Sequence, residues 1–248
     1  MTDITGTARF ISDLHLRAER PDLLQRFAAF LAETAAANVD SLFILGDLFE
    51  YWIGDDDLAD PFNSDVCNLL RSAADMGTSL YFIAGNRDFL IGPRFAAAAR
   101  MVLLEDAVKV CAGGTATLLL HGDTVCTDDL PYQDFRRMVR GDEWQQRFLA
   151  RPLAERRAEV ENLRRRSAEA MQGKTAEIMD ANVGAIHAAL NSFGCRRLIH
   201  GHTHRPGHDT YDLPSGLAER YVLSDWDTGR GDALEIGPAG IRRIDLSA

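Results

Sequence analysis

Cysteine is scarce in this chain, and long apolar runs are missing from it. Only 4 of 248 residues are cysteine, at Cys67, Cys111, Cys126 and Cys195. Their spacings of 44, 15 and 69 residues contain no Cys-x-x-Cys pair, which argues against a zinc knuckle or a redox dithiol and predicts free thiols in a reducing compartment. No apolar stretch approaches the roughly 18 residues needed to cross a bilayer, and Met1 to Phe10 has no positive segment followed by an apolar one. A cytoplasmic location is therefore expected. Net positive charge is missing too: 27 Lys+Arg against 37 Asp+Glu leave −10. Such a surface repels nucleic-acid phosphates at long range, so a general nucleic-acid binder is disfavoured. Nothing in the sequence speaks to oligomeric state.

What is present is the balance of an ordinary folded domain, 46% hydrophobic and 26% charged, which excludes disorder and collagen. At this length one large domain, or a domain with an insertion, can bury roughly 70% of its unfolded surface. Short apolar runs at Ala8–Ser12, Ser41–Leu45, Ser79–Ala84, Ala116–Leu120 and Arg197–Ile199 each end in a polar turn and read as buried strands. Pro21–Ala37 and Pro61–Met76 open on proline and carry apolar residues at helical spacing, so they read as helices between the strands. Tyr221–Ser224, Ala233–Ile236 and Ile241–Ile244 read as an antiparallel flank completing a second sheet. The expected fold is an α/β sandwich flanked by helices. Residues 131–190 interrupt it as a helical insertion, a cap on a core of residues 1–130 and 191–248. Within residues 131–175 there are 11 Lys+Arg and 7 Asp+Glu, a local +4 that leaves −14 for the rest.

Chemistry concentrates where the strands end. Asp13 and His15 follow the first run and alternate, so in an extended segment both would project to one side. Alone, such a pair is usually a surface acid and a capping histidine. It has company: Gly46-Asp47, Gly85-Asn86-Arg87-Asp88, His121-Gly122-Asp123 and Gly201-His202-Thr203-His204 each follow a predicted strand. The glycines suit turns that need positive φ or close backbone approach. Asp13, His15, Asp47, Asn86, His121, His202 and His204 supply two carboxylates, one amide oxygen and four imidazoles, too many for one tetrahedral ion and enough for two ions sharing a ligand. Mixed nitrogen and oxygen donors without thiolate suit Mn²⁺, Fe²⁺ or Zn²⁺ better than Mg²⁺ or Ca²⁺. Asp88 could orient a ligating histidine. His187, His200 and His208 read as structural or solvated, and Trp52 as packing at a rim. The Asp55-Asp56-Asp57 run lacks the spacing of a calcium loop.

This ordered set resembles the calcineurin-like metallophosphoesterases. The likeness runs through Gly46 to Asp56, Gly85 to Leu90, His121 to Asp129, Gln133 to Arg136, Ile178 to Asp180 and Ile199 to Pro206, and is strongest to the branch that acts in lipid A biosynthesis. It implies a manganese enzyme with Asp13, His15 and His204 on one ion, Asn86, His121 and His202 on the other, and Asp47 bridging. The implied activity is hydrolysis of a UDP-linked diacylated glucosamine at its diphosphate, by attack of hydroxide held by the two ions on the α-phosphorus. Asn86, Arg87 and His121 would be catalytic. Asn86, Arg87 and His202 would touch substrate, Asp129 and Tyr132 would line the mouth, and Ser167 and Lys174 would hold the nucleotide or diphosphate end. Met171 stands where the family often has a polar residue. Arg151, Arg156, Arg157, Arg164, Arg165 and Arg166, interleaved with Phe148, Leu149, Leu153, Val160 and Leu163, form an amphipathic surface that could meet anionic lipid or simply be solvated. The resemblance favours a peripheral place on the cytoplasmic face of the inner membrane. Another phosphodiesterase or phosphatase, or a scaffold that binds partners without catalysis, stays open as an alternative.

Overall fold

The structure, a computed structural model, describes residues 2–171 and 180–247, and for residue 2 and 166–171 the backbone only. In chain order the elements are β1 (Thr2–Ile4), β2 (Ala8–Ile11), α1 (Pro21–Ala36), β3 (Ser41–Ile44), α2 (Pro61–Asp75), β4 (Ser79–Phe82), α3 (Pro93–Ala99), β5 (Met101–Leu103), β6 (Ala107–Ala112) and β7 (Thr115–Leu120). Then come α4 (Leu130–Val139), α5 (Asp142–Leu149), α6 (Leu153–Met171), α7 (Val183–Phe193), β8 (Arg197–His200), β9 (Gly207–Leu213), β10 (Gly216–Val222), β11 (Asp232–Gly237) and β12 (Gly240–Asp245). One six-stranded sheet runs β12-β11-β2-β3-β4-β5, the other β1-β6-β7-β8-β10-β9.

Side-chain alternation along the strands builds the layers. Phe10, Phe43, Leu45 and Ile83 turn inward and meet Val110, Leu119, Ile199 and Leu223 of the other sheet. Ile11, Leu42, Ile44 and Phe82 turn outward, under Leu23, Phe27, Val66, Leu70 and Phe95 of α1, α2 and α3. On the far side, Leu118, Leu120 and Leu198 take Ile186 and Leu190 of α7. The result is helix, sheet, sheet, helix, the sandwich that the sequence predicts. Helix starts follow local chemistry: Asp60 accepts from the Phe62 N–H at 3.0 Å and Asn182 from the Ala185 N–H at 3.1 Å, satisfying first-turn donors.

Two expectations need correction. Tyr221 is not in the same sheet as Ala233 and Ile241: β10 pairs parallel with β8 and antiparallel with β9, whereas β11 and β12 extend the other sheet beyond β2. Apolar periodicity reports that a strand is buried, not which of two facing sheets it joins. The arginines of the insertion also divide differently from a lipid-facing stripe. Arg156 is 1% exposed and pairs with Asp56 and the Ile53 carbonyl, Arg157 pairs with Asp57 and Asp60, and Arg164 reaches Glu50 at 2.7 Å. Arg151, just before α6, is occupied by Glu155 and Glu159 of that helix. The acidic core recruits these cations, while Leu153 and Val160 pack on the core cluster between them. α6 is thereby docked by an alternating apolar and ionic face.

Each acid of the Asp55–Asp57 run has a structural task. Asp55 accepts from the N–H groups of Gly92, Arg94 and Phe95 at the start of α3, and Asp56 and Asp57 receive the two arginines. Replacing Arg156 with Ala should therefore free α6 without unfolding the sandwich. Amide exchange across 153–165 should accelerate at least about tenfold while β3 and β4 keep their protection; unchanged exchange in α6 would contradict the docking role.

Candidate metal centre

The strands that carry the candidate donors, β2, β3 and β4 in one sheet and β7 and β8 in the other, lead to one shared edge, so the centre straddles the two sheets. After β2 and β3 the chains continue side by side. Asp13 N–H donates to Gly46 O at 3.1 Å, His15 N–H to Asp47 O at 3.0 Å, Leu16 N–H to Leu48 O at 2.9 Å and Glu50 N–H to Leu16 O at 3.0 Å. This ladder is not extended at its donor positions. Asp13 (φ 56°), His15 (φ 49°), Asp47 (φ 53°), His202 (φ 66°) and His204 (φ 53°) are all left-handed, which corrects the reading of Asp13 and His15 as alternating along a strand. Each such residue costs on the order of 1 kcal/mol or more and persists only where its surroundings hold it.

Asp88 does much of that holding. Fully buried, its carboxylate accepts from the N–H groups of Leu48 at 2.7 Å, Gly85 at 2.9 Å, Asp47 at 3.3 Å and Phe49 at 3.4 Å. It orients backbone rather than a histidine ring, because the ring donors lie elsewhere and four converging N–H groups already satisfy the anion. Glycine is required for close approach: a Cβ on Gly85 would lie 2.1 Å from Asp47 Oδ1, and one on Gly201 would lie 2.1 Å from Asp13 Oδ2.

All seven candidate donors converge. One group joins Asp13, His15 and His204: the two Nε2 atoms are 3.3 Å apart, and Asp13 Oδ1 lies 3.4 Å from His204 Nε2 and 4.0 Å from His15 Nε2. The other brings Asn86 Oδ1 to 2.9 Å from both His121 Nε2 and His202 Nδ1, with Asp47 Oδ1 3.8 Å from His121 Nε2. Asp47 turns its second oxygen to 4.0 Å from His15 Nδ1, so it faces both groups; Asp13 also lies within reach of Asp47 and His121. Asp13 Oδ1 is a buried oxygen without a hydrogen-bond partner. An orphaned carboxylate oxygen beside facing imidazole nitrogens is costly unless a cation completes it. The donors therefore fit a pair of divalent ions of the imidazole-binding class.

Electrostatics point the same way. Burial alone would raise the Asp13 carboxyl, but the facing imidazoles of His204, His121 and His15 outweigh it and hold it well below the usual range. Burial and the nearby carboxylates push Asp47 up to about 7. Burial depresses His15 to about 3 and His202 to about 4, while Asp47, Asp13 and Asp123 overcome burial and lift His121 to about 9. His121 Nδ1 faces the Leu45 carbonyl at 2.8 Å, which leaves Nε2 for the centre.

Arg87 stands beside this cluster, its N–H on Asp47 Oδ1 at 2.9 Å and its Nη1 on Glu50 at 2.9 Å. Asp129 caps α4 by accepting from the Tyr132 N–H, and the Tyr132 ring lies 5.9 Å from that of His202 with its hydroxyl on Asp123. Ser167 and Met171 have side chains outside the described residues, and Lys174 lies wholly outside them. His200 is buried, accepting from Arg220 Nε at 2.9 Å, and Trp52 is packed in the core. His208 stacks on Tyr221, and His187 sits edge-on to Tyr211. Sequence reasoning missed Glu50, Asp225 and Asp123. Asp225 lies 3.5 Å from His204 Nδ1, and Asp123 ties Tyr132 and Arg136 to the centre. Glu50 and Asp123 sat inside the recognised loops, but nothing in spacing told which acids would be buried.

A dinuclear phosphoesterase centre on a two-sheet α/β sandwich is the class these features define, and the model of the family described as Calcineurin-like phosphoesterase matches residues 8–206: the chain belongs to this family. Its relatives are more specific. It is 50% identical over 220 residues to UDP-2,3-diacylglucosamine hydrolase of Aromatoleum aromaticum, covering 89% of each chain. To the proteins of that name from Chromohalobacter salexigens and Chromobacterium violaceum it is 45% and 44% identical, covering 98% and 96% of this chain and 99% and 98% of theirs.

Replacing Asp88 with Ala should strand four buried N–H groups. We expect a loss of about 3 kcal/mol or more in urea unfolding. Asp88→Asn, which retains one acceptor oxygen, should cost less; equal stability of Asp88→Ala and wild type would refute the assignment.

Proposed function

We propose that this chain hydrolyses UDP-2,3-diacylglucosamine to UMP and 2,3-diacylglucosamine 1-phosphate, with two Mn²⁺ ions, as a peripheral protein on the cytoplasmic face of the inner membrane. The observation that carries the reading is the convergence of seven nitrogen and oxygen donors from five loops, with Arg87 beside them, in a chain 50% identical to a UDP-2,3-diacylglucosamine hydrolase. Asp13, His15 and His204 would hold one ion and Asn86, His121 and His202 the other, with Asp47 between. Such ions supply Lewis acidity that makes water a competent nucleophile at neutral pH and neutralises phosphoryl oxygens.

The chain's own residues supply the rest. Arg87 presents a planar fork to the phosphates and stabilises charge on the departing oxygen. Asn86 and His202 lie close enough to the same centre to touch a phosphoryl group. The Leu45 carbonyl fixes the tautomer of His121. Tyr132 and Asp129 bound the mouth under the cap of residues 131–190, and Ser167 and Lys174 are assigned to the nucleotide or diphosphate end. No helix among the described residues is long and apolar enough to cross a membrane. Peripheral attachment is supported by exposed Leu130, Met138, Leu149 and Val183 on the helices around the cap.

The direct test is UMP release from the lipid-linked nucleotide in manganese. The wild-type chain should turn over, chelation should abolish the rate, and Asp47→Ala should lose metal and reduce activity about 1,000-fold or more. Turnover of a generic phosphodiester alone, or near wild-type rates in Asp47→Ala, would overturn the proposal.

A further inference from the structure

Glu50 gathers more positive charge than any other carboxylate at the site. Its side chain is 8% exposed, yet Arg17 lies at 3.3 Å, Arg87 at 2.9 Å and Arg164 at 2.7 Å, with His15 Nδ1 at 3.6 Å. The three guanidiniums come from three separate places: the loop after β2, the loop after β4 and the cap helix α6. Each remains about one-third exposed. Their convergence is set by backbone. The Glu50 N–H donates to Leu16 O at 3.0 Å, which puts Arg17 next to it, and the Trp52 N–H donates to Arg87 O at 3.0 Å. Arg164 comes down on the docked face of α6, eight residues beyond Arg156.

We infer that Glu50 is a positioning residue that assembles Arg17, Arg87 and Arg164 into a clamp for the substrate diphosphate, with Arg17 a phosphate contact in its own right. Three guanidiniums so close repel one another, and one buried carboxylate permits the approach while leaving an excess of two positive charges. A carboxylate offers about four lone-pair sites against five N–H donors per guanidinium, so most of the donors stay free. Those of Arg87 reach the metal donors, with Nε 3.7 Å from Asp47 Oδ2, and Glu50 itself stands 3.6 Å from His15 Nδ1. A doubly charged diphosphate matches both the excess charge and the planar forks. This inference rests on the proposed activity, and its test separates the two.

Kinetics of the metal-loaded full chain with UDP-2,3-diacylglucosamine decide it. Glu50→Gln keeps the shape and removes the charge. KM should rise about tenfold while kcat falls less than about threefold, with two ions per chain retained and partial recovery in Glu50→Asp. Arg17→Ala, a change at a partly exposed side chain, should raise KM about fivefold, and Arg17→Lys should recover less than half of that because the fork is lost. In the Glu50→Gln/Arg17→Ala double variant the two effects should be less than multiplicative. The inference is overturned if KM stays within twofold of wild type in both single variants, or if Glu50→Gln instead loses metal with unchanged KM, which would make it a support for His15 alone. A wild-type chain that does not cleave the lipid nucleotide would sink the proposed activity rather than the clamp, which direct binding of UDP about fivefold to tenfold tighter by wild type than by Arg17→Ala or Glu50→Gln would still register.

Discussion

The centre depends on a backbone constraint before it depends on any metal. Five of its donors sit in a left-handed conformation that side chains other than glycine resist, and four of them are bound through their backbone N–H to a neighbour that does not let them relax. Asp13 and His15 are tied to the loop after β3. Asp47 is tied through Asp88, and the His202 N–H donates to Asp13 Oδ2 at 2.8 Å. Strain of this kind survives only when several bonds over-determine it. These left-handed turns lie at the strand ends, where the donors of the five loops meet. Rigid strands below and zipped loops above are what bring atoms from two separate sheets within 4 Å of one another.

The same constraint explains the electrostatics. Buried carboxylates are expensive, and the cluster offsets Asp13 and Asp47 with imidazoles rather than lysines or arginines in the centre itself. Imidazole can serve as counter-charge when protonated, the direction in which Asp47 and Asp13 shift His121, and as neutral donor to a cation when not. The arginines are placed one step outward. They meet Glu50, and Arg87 also brings its Nε to 3.7 Å from Asp47 Oδ2, so this one guanidinium joins the donor set to the arginines around it.

Much of this was legible in the sequence. Five apolar runs ending in Asp, Asn or His, four of them beside glycine, marked the strand ends, and only a shared edge makes such a distribution useful. The seven donors were named from residue type and place, and they meet. What was not legible follows from what sequence pattern encodes. Period-two apolarity reports burial, so the sheet of Tyr221, the half-buried strand β6 and the edge strands β1, β5 and β9 escaped it. Alternation of Asp13 and His15 suggested a strand because φ leaves no trace in an Asp-x-His triplet. Glu50, Asp123 and Asp225 look like any of the 37 acids, since their burial depends on partners up to 114 residues away, as with Arg164 and Glu50.

The cap shows how composition can mislead when charges are counted without partners. The local excess of arginine reads as a surface for anionic lipid, yet Arg156, Arg157 and Arg164 face inward to Asp56, Asp57 and Glu50. A basic helix over an acidic core is first of all a docking device. Ion pairs at a partly exposed junction are individually weak, but here they alternate with Leu153 and Val160 packed on the core, so register and orientation are both specified. The loop from Glu50 to Asp57 consequently has two duties, fixing where α6 lies and fixing where the arginines of the site point. Any motion of α6 must then alter the charge around Glu50, because Arg156, Arg157 and Arg164 are all fastened to one stretch of eight residues.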